Sequence, residues 1–151
     1  MPQWWAPEGI ADGRSAADQA AFDLMLPSIT DLYLTARVLI LLDNTYIGRF
    51  WTTMEAWSAM MTATPDGVRA AIGSEKRYSI ACIHNAANTP QESSRQLVGL
   101  VSDKTPAQMR DILAKPDVAV TNAKDKEAML PIVGQTDEHV KQMMALVTQS
   151  L

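Results

Sequence analysis

The feature that most constrains the fold is an unbroken aliphatic run, Val38–Leu42, which lies between Arg37 and Asp43. A helix that crosses a membrane needs about 20 apolar residues, so this run is far too short for one. Continuous rather than alternating apolar residues, some of them β-branched, are typical of a strand covered on both faces in a parallel sheet. We therefore predict a buried strand over Val38–Leu42 in an α/β protein.

Capping and turn residues on either side of this run predict helices that alternate with further strands. Ser15 and Asp18 form an approximate capping box, and Pro27 is expected to kink or split the helix that follows. Asn44 or Thr45 is expected to cap the next helix. That helix is predicted to run from about Tyr46 to Met61 and to be ended by the turn Thr64–Gly67. The remaining predicted elements are strands over Tyr78–His84 and Asp117–Thr121, a helix that starts at Thr89-Pro90, a helix from Thr105-Pro106 to Ala114, and helices over Ala123–Leu130 and from Thr136 to about Gln149.

This alternation predicts a mostly parallel sheet flanked by helices, because parallel strands are joined by helical crossovers. A chain of 151 residues fits one domain. We expect an irregular N-terminal segment over residues 1–14 and a single α/β domain over residues 15–151. Three predicted strands are few, since sheets usually contain about four to six. The sheet is therefore expected to be completed by self-association or by a protein partner.

Composition and charge exclude several classes of function. The formal net charge is -4 and no block of Lys or Arg stands out, which argues against a nucleic-acid partner. Cys82 is the only cysteine, so no internal disulfide can form. His84 and His139 have no neighbours in sequence with ligand spacing, so no metal site is expected. No signal peptide or membrane-spanning segment is expected either, and these absences predict a cytoplasmic protein without membrane insertion.

The segment after the aliphatic run carries the candidate site. Ligands in open α/β sheets bind at the carboxyl ends of strands, and Trp51 and Glu55 are spaced to share one helix face there. A carboxylate beside Met54 and Trp57 should be partly desolvated, which raises its pKa and favours a catalytic role for Glu55. The alternative is that Glu55 pairs with Arg49 or caps a packing seam and that the tryptophans belong to the core.

The stretch Val38–Trp57 resembles the third strand and the following helix of Toll/interleukin receptor (TIR) domains. In that family an apolar strand leads through a tyrosine-containing loop into a Trp-x-x-x-Glu helix, and Tyr46, Trp51 and Glu55 stand at the matching positions here. The chain is also similar to uncharacterised TIR-like proteins of unicellular algae. That second resemblance rests on three segments: Arg49–Trp57, Ile83–Asn85 and Lys115–Asp117.

The resemblance implies an incomplete TIR/flavodoxin-like arrangement, because the family's first strand has no counterpart before residue 15. It also implies a role as a protein–protein interaction or assembly module in intracellular signalling or a larger complex. Catalytic members of the family split NAD between nicotinamide and ribose. The first alternative is therefore an NAD glycohydrolase without a bound cofactor, with Glu55 as its catalytic carboxylate and Trp51, Tyr46 and Arg49 as substrate-binding residues. A structural subunit of a larger assembly is the second alternative.

Overall fold

The protein is described here by a computed structural model that covers residues 15–150, so the predicted irregular segment over residues 1–14 lies outside the described residues. Within them, helices and short strands alternate along the chain. Their order is α1 (Ala16–Met25), α2 (Ile29–Thr35), β1 (Val38–Leu42), α3 (Phe50–Met60), β2 (Met61–Thr64), β3 (Gly67–Ala70), β4 (Tyr78–Cys82), α4 (Pro90–Val101), α5 (Pro106–Ala114), α6 (Ala123–Gly134) and α7 (Thr136–Gln149).

The architecture is a mixed α/β fold with a small parallel sheet of two strands flanked by helices. β1 and β4 run parallel, in a register that places Val38 beside Tyr78 and Leu42 beside Cys82. β1 has the predicted bounds. β4 is two residues shorter than predicted because His84 adopts a positive φ of 50° and turns the chain into a short 3-10 helix, His84–Asn88.

The prediction that β1 is buried on both faces is wrong. Ile40 and Leu42 are 1% exposed and belong to the hydrophobic core, but Leu39 is 64% exposed and Leu41 is 50% exposed. Adjacent residues of a strand point to opposite faces, so one face of the sheet lies on the core and the other faces outward. The continuous apolar run therefore leaves one apolar face without a cover among the described residues.

The predicted third strand, Asp117–Thr121, is also wrong. Only Ala119 is in extended pairing there, through an isolated parallel bridge to Arg49. The amide of Ala119 donates to Gly48 and its carbonyl oxygen accepts from Phe50, both at 2.8 Å. The segment meets a loop rather than a strand, because Tyr46–Gly48 is a 3-10 turn and α3 begins at Phe50, which leaves a single extended residue to pair with.

An antiparallel hairpin of β2 and β3 was missed by the sequence analysis. The predicted turn Thr64–Gly67 is present, but it joins these two strands instead of ending a helix. Gly67 has a φ of 118°, and a Cβ at that position would lie 2.5 Å from Asp137 Oδ1. That Asp137 oxygen accepts a 2.8 Å hydrogen bond from the amide of Val68, which ties the hairpin to α7. Only glycine fits this close approach.

α3 is the central element of the core. Apart from Trp51, Thr52 and Glu55, every residue of this helix is buried. A helix that is covered almost all round belongs to the interior of a domain, and α2, α4 and α5 pack against it here. Trp57 is fully buried, and its indole nitrogen donates a 2.9 Å hydrogen bond to the carbonyl oxygen of Lys104.

Most of the other helix boundaries are confirmed. Ser15 and Asp18 form the capping box of α1, and Pro27 lies in a 3-10 turn that separates α1 from α2. α5 and α7 have the predicted bounds. α6 extends four residues past the predicted end at Leu130, through Pro131, because Met129 and Val133 on either side are buried in the core. In residues 15–150 no helix has the length and apolar character needed to cross a membrane.

Candidate functional site

The position of Glu55 follows from the way in which α3 is surrounded. Because the rest of the helix is buried, only a narrow stripe containing Trp51, Thr52 and Glu55 reaches the surface. Trp51 and Glu55 lie one turn apart on the same helix face, as their spacing predicts. Trp51 also packs against the core, and its ring meets that of Phe50 edge-on at 5.6 Å between ring centroids.

The start of α3 is held by two threonines rather than by the predicted cap. Thr52 donates a 2.7 Å hydrogen bond to the carbonyl oxygen of Tyr46, and Thr53 donates one of 2.9 Å to that of Ile47. Neither Asn44 nor Thr45 caps the helix, because α3 begins at Phe50 and not at about Tyr46 as predicted. These bonds fold the preceding turn back onto α3 and place the buried ring of Tyr46 beneath it.

Glu55 is partly buried and lies against Tyr33 of α2. The Tyr33 hydroxyl lies near enough to the Glu55 carboxylate for each group to act on the pKa of the other. Burial raises the pKa of Glu55 above its ordinary value, and the hydrogen bond from Tyr33 opposes part of that rise. Burial, followed by the negative charge of Glu55 and the hydrogen bond to it, raises the pKa of Tyr33 to about 12. The two groups therefore perturb each other directly.

Tyr46 completes this polar cluster, which we call the Glu55 cluster (Tyr33, Tyr46 and Glu55). Burial is the main cause that raises the pKa of Tyr46, and the charges of Glu55 and Tyr33 add to it. The Arg49 guanidinium lies 6.0 Å from the centroid of the Tyr46 ring and acts on the pKa of Tyr46 in the opposite direction. Both phenols stay protonated at neutral pH and can donate hydrogen bonds.

Arg49 does not pair with Glu55, so that part of the structural alternative is wrong, whereas Trp57 does belong to the core, as the same alternative predicted. Arg49 forms an ion pair with Asp43 at 3.3 Å instead. Asp43 also accepts 2.9 and 2.8 Å hydrogen bonds from the amide and hydroxyl of Thr45, and these bonds are the main cause that lowers its pKa. Arg49 thus reaches the Glu55 cluster only through the ring of Tyr46.

Tyr33 is the member of the cluster that the sequence analysis missed. It lies on the helix before β1, and its place beside Glu55 depends on the packing of α2 against α3. The only local signal was a tyrosine within a predicted helix. A carboxylate with a raised pKa between two phenols can take up or release a proton closer to neutrality than an ordinary glutamate.

A surface cavity of about 320 Å³ lies at the carboxyl end of β1, where ligands of α/β sheets usually bind. Its lining residues are Leu42, Asp43, Asn44, Ile47, Gly48, Ser93 and Gln96. Glu55, Tyr46 and Trp51 do not line it, so the structure separates this cavity from the Glu55 cluster. Among residues 15–150, no group of His, Cys, Asp and Glu side chains is placed to hold a metal ion.

The second candidate site is the free side of β1. The amide of Val38 donates to Arg77 and the carbonyl oxygen of Leu42 accepts from Ile83, so the even-numbered residues of β1 face β4. Leu39 and Leu41 consequently direct their backbone groups to the other side. No residue in the described part of the chain bonds to those groups. We call this strip, with the side chains of Leu39 and Leu41, the β1 edge.

The β1 edge combines two features that folded proteins rarely leave together. A strand edge presents unpaired amide and carbonyl groups that are a template for pairing with another strand. Here the side chains of the same two residues are large, apolar and exposed. Exposed apolar side chains beside unpaired backbone groups mark surfaces at which proteins associate.

Comparisons of the whole chain with protein-family models, with curated protein sequences and with solved structures found no match.

Proposed function

We propose that this chain is a TIR-like assembly module that joins protein chains through the β1 edge. The observation that carries this proposal is the exposure of Leu39 and Leu41 in both backbone and side chain. An added strand would satisfy these backbone groups, and each net hydrogen bond of this kind contributes about 0.5–1.5 kcal/mol. Covering a leucine side chain contributes about 1.5–3 kcal/mol more.

The order of elements supports the TIR-like part of the proposal. An apolar strand, β1, leads through a loop that contains Tyr46 into a helix that carries Trp51 and Glu55, and a parallel strand, β4, follows. The hairpin of β2 and β3 between α3 and β4, and the missing strand at Asp117–Thr121, are departures from the expected pattern. A structural subunit of a larger complex would use the same contact surface.

The experiment that tests this function places a photo-crosslinking amino acid at position 39 and expresses the protein in its native cells. Ile72 provides a matched control, because it is apolar and exposed to the same degree, 65% against 64% for Leu39. We expect a covalent adduct with an identified protein chain from position 39 and none from position 72. Absence of an adduct at position 39, in a protein that is folded and expressed, would refute the assembly function.

A second candidate function is NAD hydrolysis at Glu55, which is favoured by the partial burial of that carboxylate, its raised pKa and its place beside Tyr33. In such a reaction the bond between the nicotinamide nitrogen and the ribose breaks, and its electron pair leaves with nicotinamide. Water adds a hydroxyl group to the ribose carbon and releases a proton. The Glu55 carboxylate would stabilise the positive charge that develops on the sugar.

Nicotinamide release by the purified protein tests this second function. Glu55→Gln should abolish turnover, whereas Glu92→Gln, which changes an exposed glutamate on α4, should leave it unchanged. If the wild type releases nicotinamide and Glu55→Gln does so equally fast, Glu55 is not the catalytic carboxylate.

A further inference from the structure

The charges that flank β1 restrict which strand can pair with its edge. Buried or half-buried even-numbered and exposed odd-numbered positions alternate in β1. Arg37 and Asp43 directly flank the strand and continue the odd-numbered series of Leu39 and Leu41. Arg37 is exposed and makes no ion pair with any residue from 15 to 150. Hydrogen bonds from Thr45 keep the pKa of Asp43 low, so it carries its charge at neutral pH. In the single chain Asp43 also pairs with Arg49 at 3.3 Å. The edge thus has an unpaired cation at one end, leucines in the middle and, at the other end, an anion that a partner's cation would share with Arg49.

This order is self-complementary when the strand is reversed. Antiparallel pairing joins residues whose backbone groups point at each other, so odd positions of one β1 must face odd positions of the other. If the twofold axis passes at Ile40, Leu39 lies opposite the partner's Leu41. Arg37 then lies opposite the partner's Asp43, and the same contacts repeat on the other side of the axis.

The neighbouring registers lose this match. A shift in one direction places Leu39 opposite the partner's Leu39 and Arg37 opposite the partner's Leu41. A shift in the other direction places Leu41 opposite the partner's Leu41 and Leu39 opposite the partner's Asp43. Each leaves a charge opposite a leucine, and opposite-charge and apolar cross-strand pairs are the favourable ones. Only the register centred on Ile40 places Arg37 opposite the partner's Asp43 and Leu39 opposite the partner's Leu41.

We infer that the occupant of the β1 edge is a second copy of this chain, paired antiparallel through β1 with its twofold axis at Ile40. This inference rests on the assembly function proposed above and names its partner. The result is a continuous sheet in the order β4, β1, the partner's β1, the partner's β4. That sheet reaches the lower end of the usual range of about four to six strands. Each Leu39–Leu41 pair exchanges both of its backbone hydrogen bonds.

The other edge of the sheet is a poorer candidate. The outward backbone groups of β4 belong to Tyr78, Ile80 and Cys82, whose side chains are partly buried and pack against the core. α4 also packs on β4. The residues next to these three, from Arg77 to Ile83, carry no acidic side chain that could pair with Arg77 in a reversed copy.

Disulfide crosslinking distinguishes the registers directly. Two variants are made on a Cys82→Ala background, one with Leu39→Cys and one with Leu41→Cys. Residues opposite each other in a hydrogen-bonded antiparallel pair have Cα atoms about 5.5 Å apart, within the range that a disulfide spans. We expect a crosslinked dimer only when the two variants are mixed and oxidised, because position 39 faces the partner's position 41.

Every other result counts against the inference. Efficient crosslinking of Leu39→Cys alone, or of Leu41→Cys alone, places the twofold axis elsewhere and overturns the register. A wild-type protein that sediments as a monomer at all concentrations, with no disulfide in the mixture, overturns self-pairing. If the protein is such a monomer, a photo-crosslink from position 39 to a different protein would refute self-pairing but support the assembly function. No adduct at all would refute both the self-pairing and the assembly function.

A charge reversal gives an independent measurement without new cysteines. Arg37→Glu removes two symmetric ion pairs and should weaken the dimer about tenfold at low salt. Lys76→Glu is the matched control, because Lys76 is an exposed cation that lines the same surface groove but lies outside β1. It should change the dissociation constant about twofold at most. Equal effects of the two variants would show that net charge, not the Arg37 contact, controls association.

Discussion

The Arg77 guanidinium donates a 2.7 Å hydrogen bond to the carbonyl oxygen of Met61, the first residue of β2, which directly follows α3. Its other amino group donates a 2.9 Å hydrogen bond to the carbonyl oxygen of Ala36, at the end of α2. One side chain at the start of β4 therefore joins three elements that lie far apart in the sequence. It fixes the entry of β4 beside β1, and with it the side of β1 that has no partner strand among residues 15–150.

Arg77→Met should lower the free energy of unfolding by about 2–4 kcal/mol. The variant leaves partly buried carbonyl oxygens without their charged donor, and hydrogen bonds to charged groups contribute about 1.5–3 kcal/mol each. Urea unfolding followed by circular dichroism measures the change. The control is Arg95→Met, because Arg95 is exposed and pairs only with Glu92 one turn away; it should change stability by about 0.5 kcal/mol or less. Equal losses in the two variants would contradict the role given to Arg77.

Gly67→Ala should destabilise the protein by about 3 kcal/mol. A φ of 118° strains any other residue, and the new Cβ displaces Asp137 from its bond to Val68. The matched substitution is Gly99→Ala on the exposed face of α4, where a Cβ meets nothing within 4 Å. That change should add about 0.5–1 kcal/mol because alanine is the better helix former. Thermal or urea unfolding measures whether the free energy of unfolding falls in Gly67→Ala and rises in Gly99→Ala. A Gly67→Ala protein as stable as the wild type would refute the close approach of β3 and α7.

The sequence predicts β1, α5 and α7 at their true positions because their signals are local. The Thr105 capping box with Gln108, for example, is complete within four residues. The outward face of β1 cannot be predicted this way, because a continuous apolar run has no alternation to show which face lacks a cover. The Met61–Ala70 hairpin depends on Asp137, and the Glu55 cluster depends on Tyr33 of another helix. Those contacts exist only in the folded chain.

Glu55→Gln should gain stability relative to the wild type as the pH rises above 4.5, the ordinary value for a glutamate. Burial raises the pKa of Glu55 in the folded state, so the wild type loses stability as the pH rises from 4.5 through that raised pKa. Glutamine stays neutral and avoids the loss. Urea unfolding across this pH range measures the difference between the two proteins.

Glu75 supplies a control of opposite sign for that experiment. Arg69 donates 2.7 and 2.8 Å hydrogen bonds to its carboxylate, which holds the pKa of Glu75 at about 2. The ionised Glu75 carboxylate stabilises the folded state above pH 4.5, and this stabilisation is lost as the pH falls toward 2. Glu75→Gln should therefore be less stable than the wild type at neutral pH. The same trend in both glutamine variants would contradict the burial assigned to Glu55.

Tyr33→Phe should remove one phenol that titrates near pH 12. In the wild type the pKa of Tyr33 is raised to about 12, so its hydroxyl stays protonated while an ordinary tyrosine ionises near 10. Ultraviolet difference absorbance of the folded protein follows phenolate formation. The variant should lose absorbance change at the upper end of the titration, and a loss confined to the region near pH 10 would show that Tyr33 is not next to Glu55.

Amide hydrogen exchange along β1 tests the central claim most directly. The amides of Ile40 and Leu42 face β4 and should exchange slowly at every protein concentration. Those of Leu39 and Leu41 should exchange fast in dilute protein and become protected as the concentration rises, because the partner's β1 then pairs with them. Fast exchange of Leu39 and Leu41 at all concentrations, or equal protection of all four amides in dilute protein, would contradict an edge that is completed by a second copy.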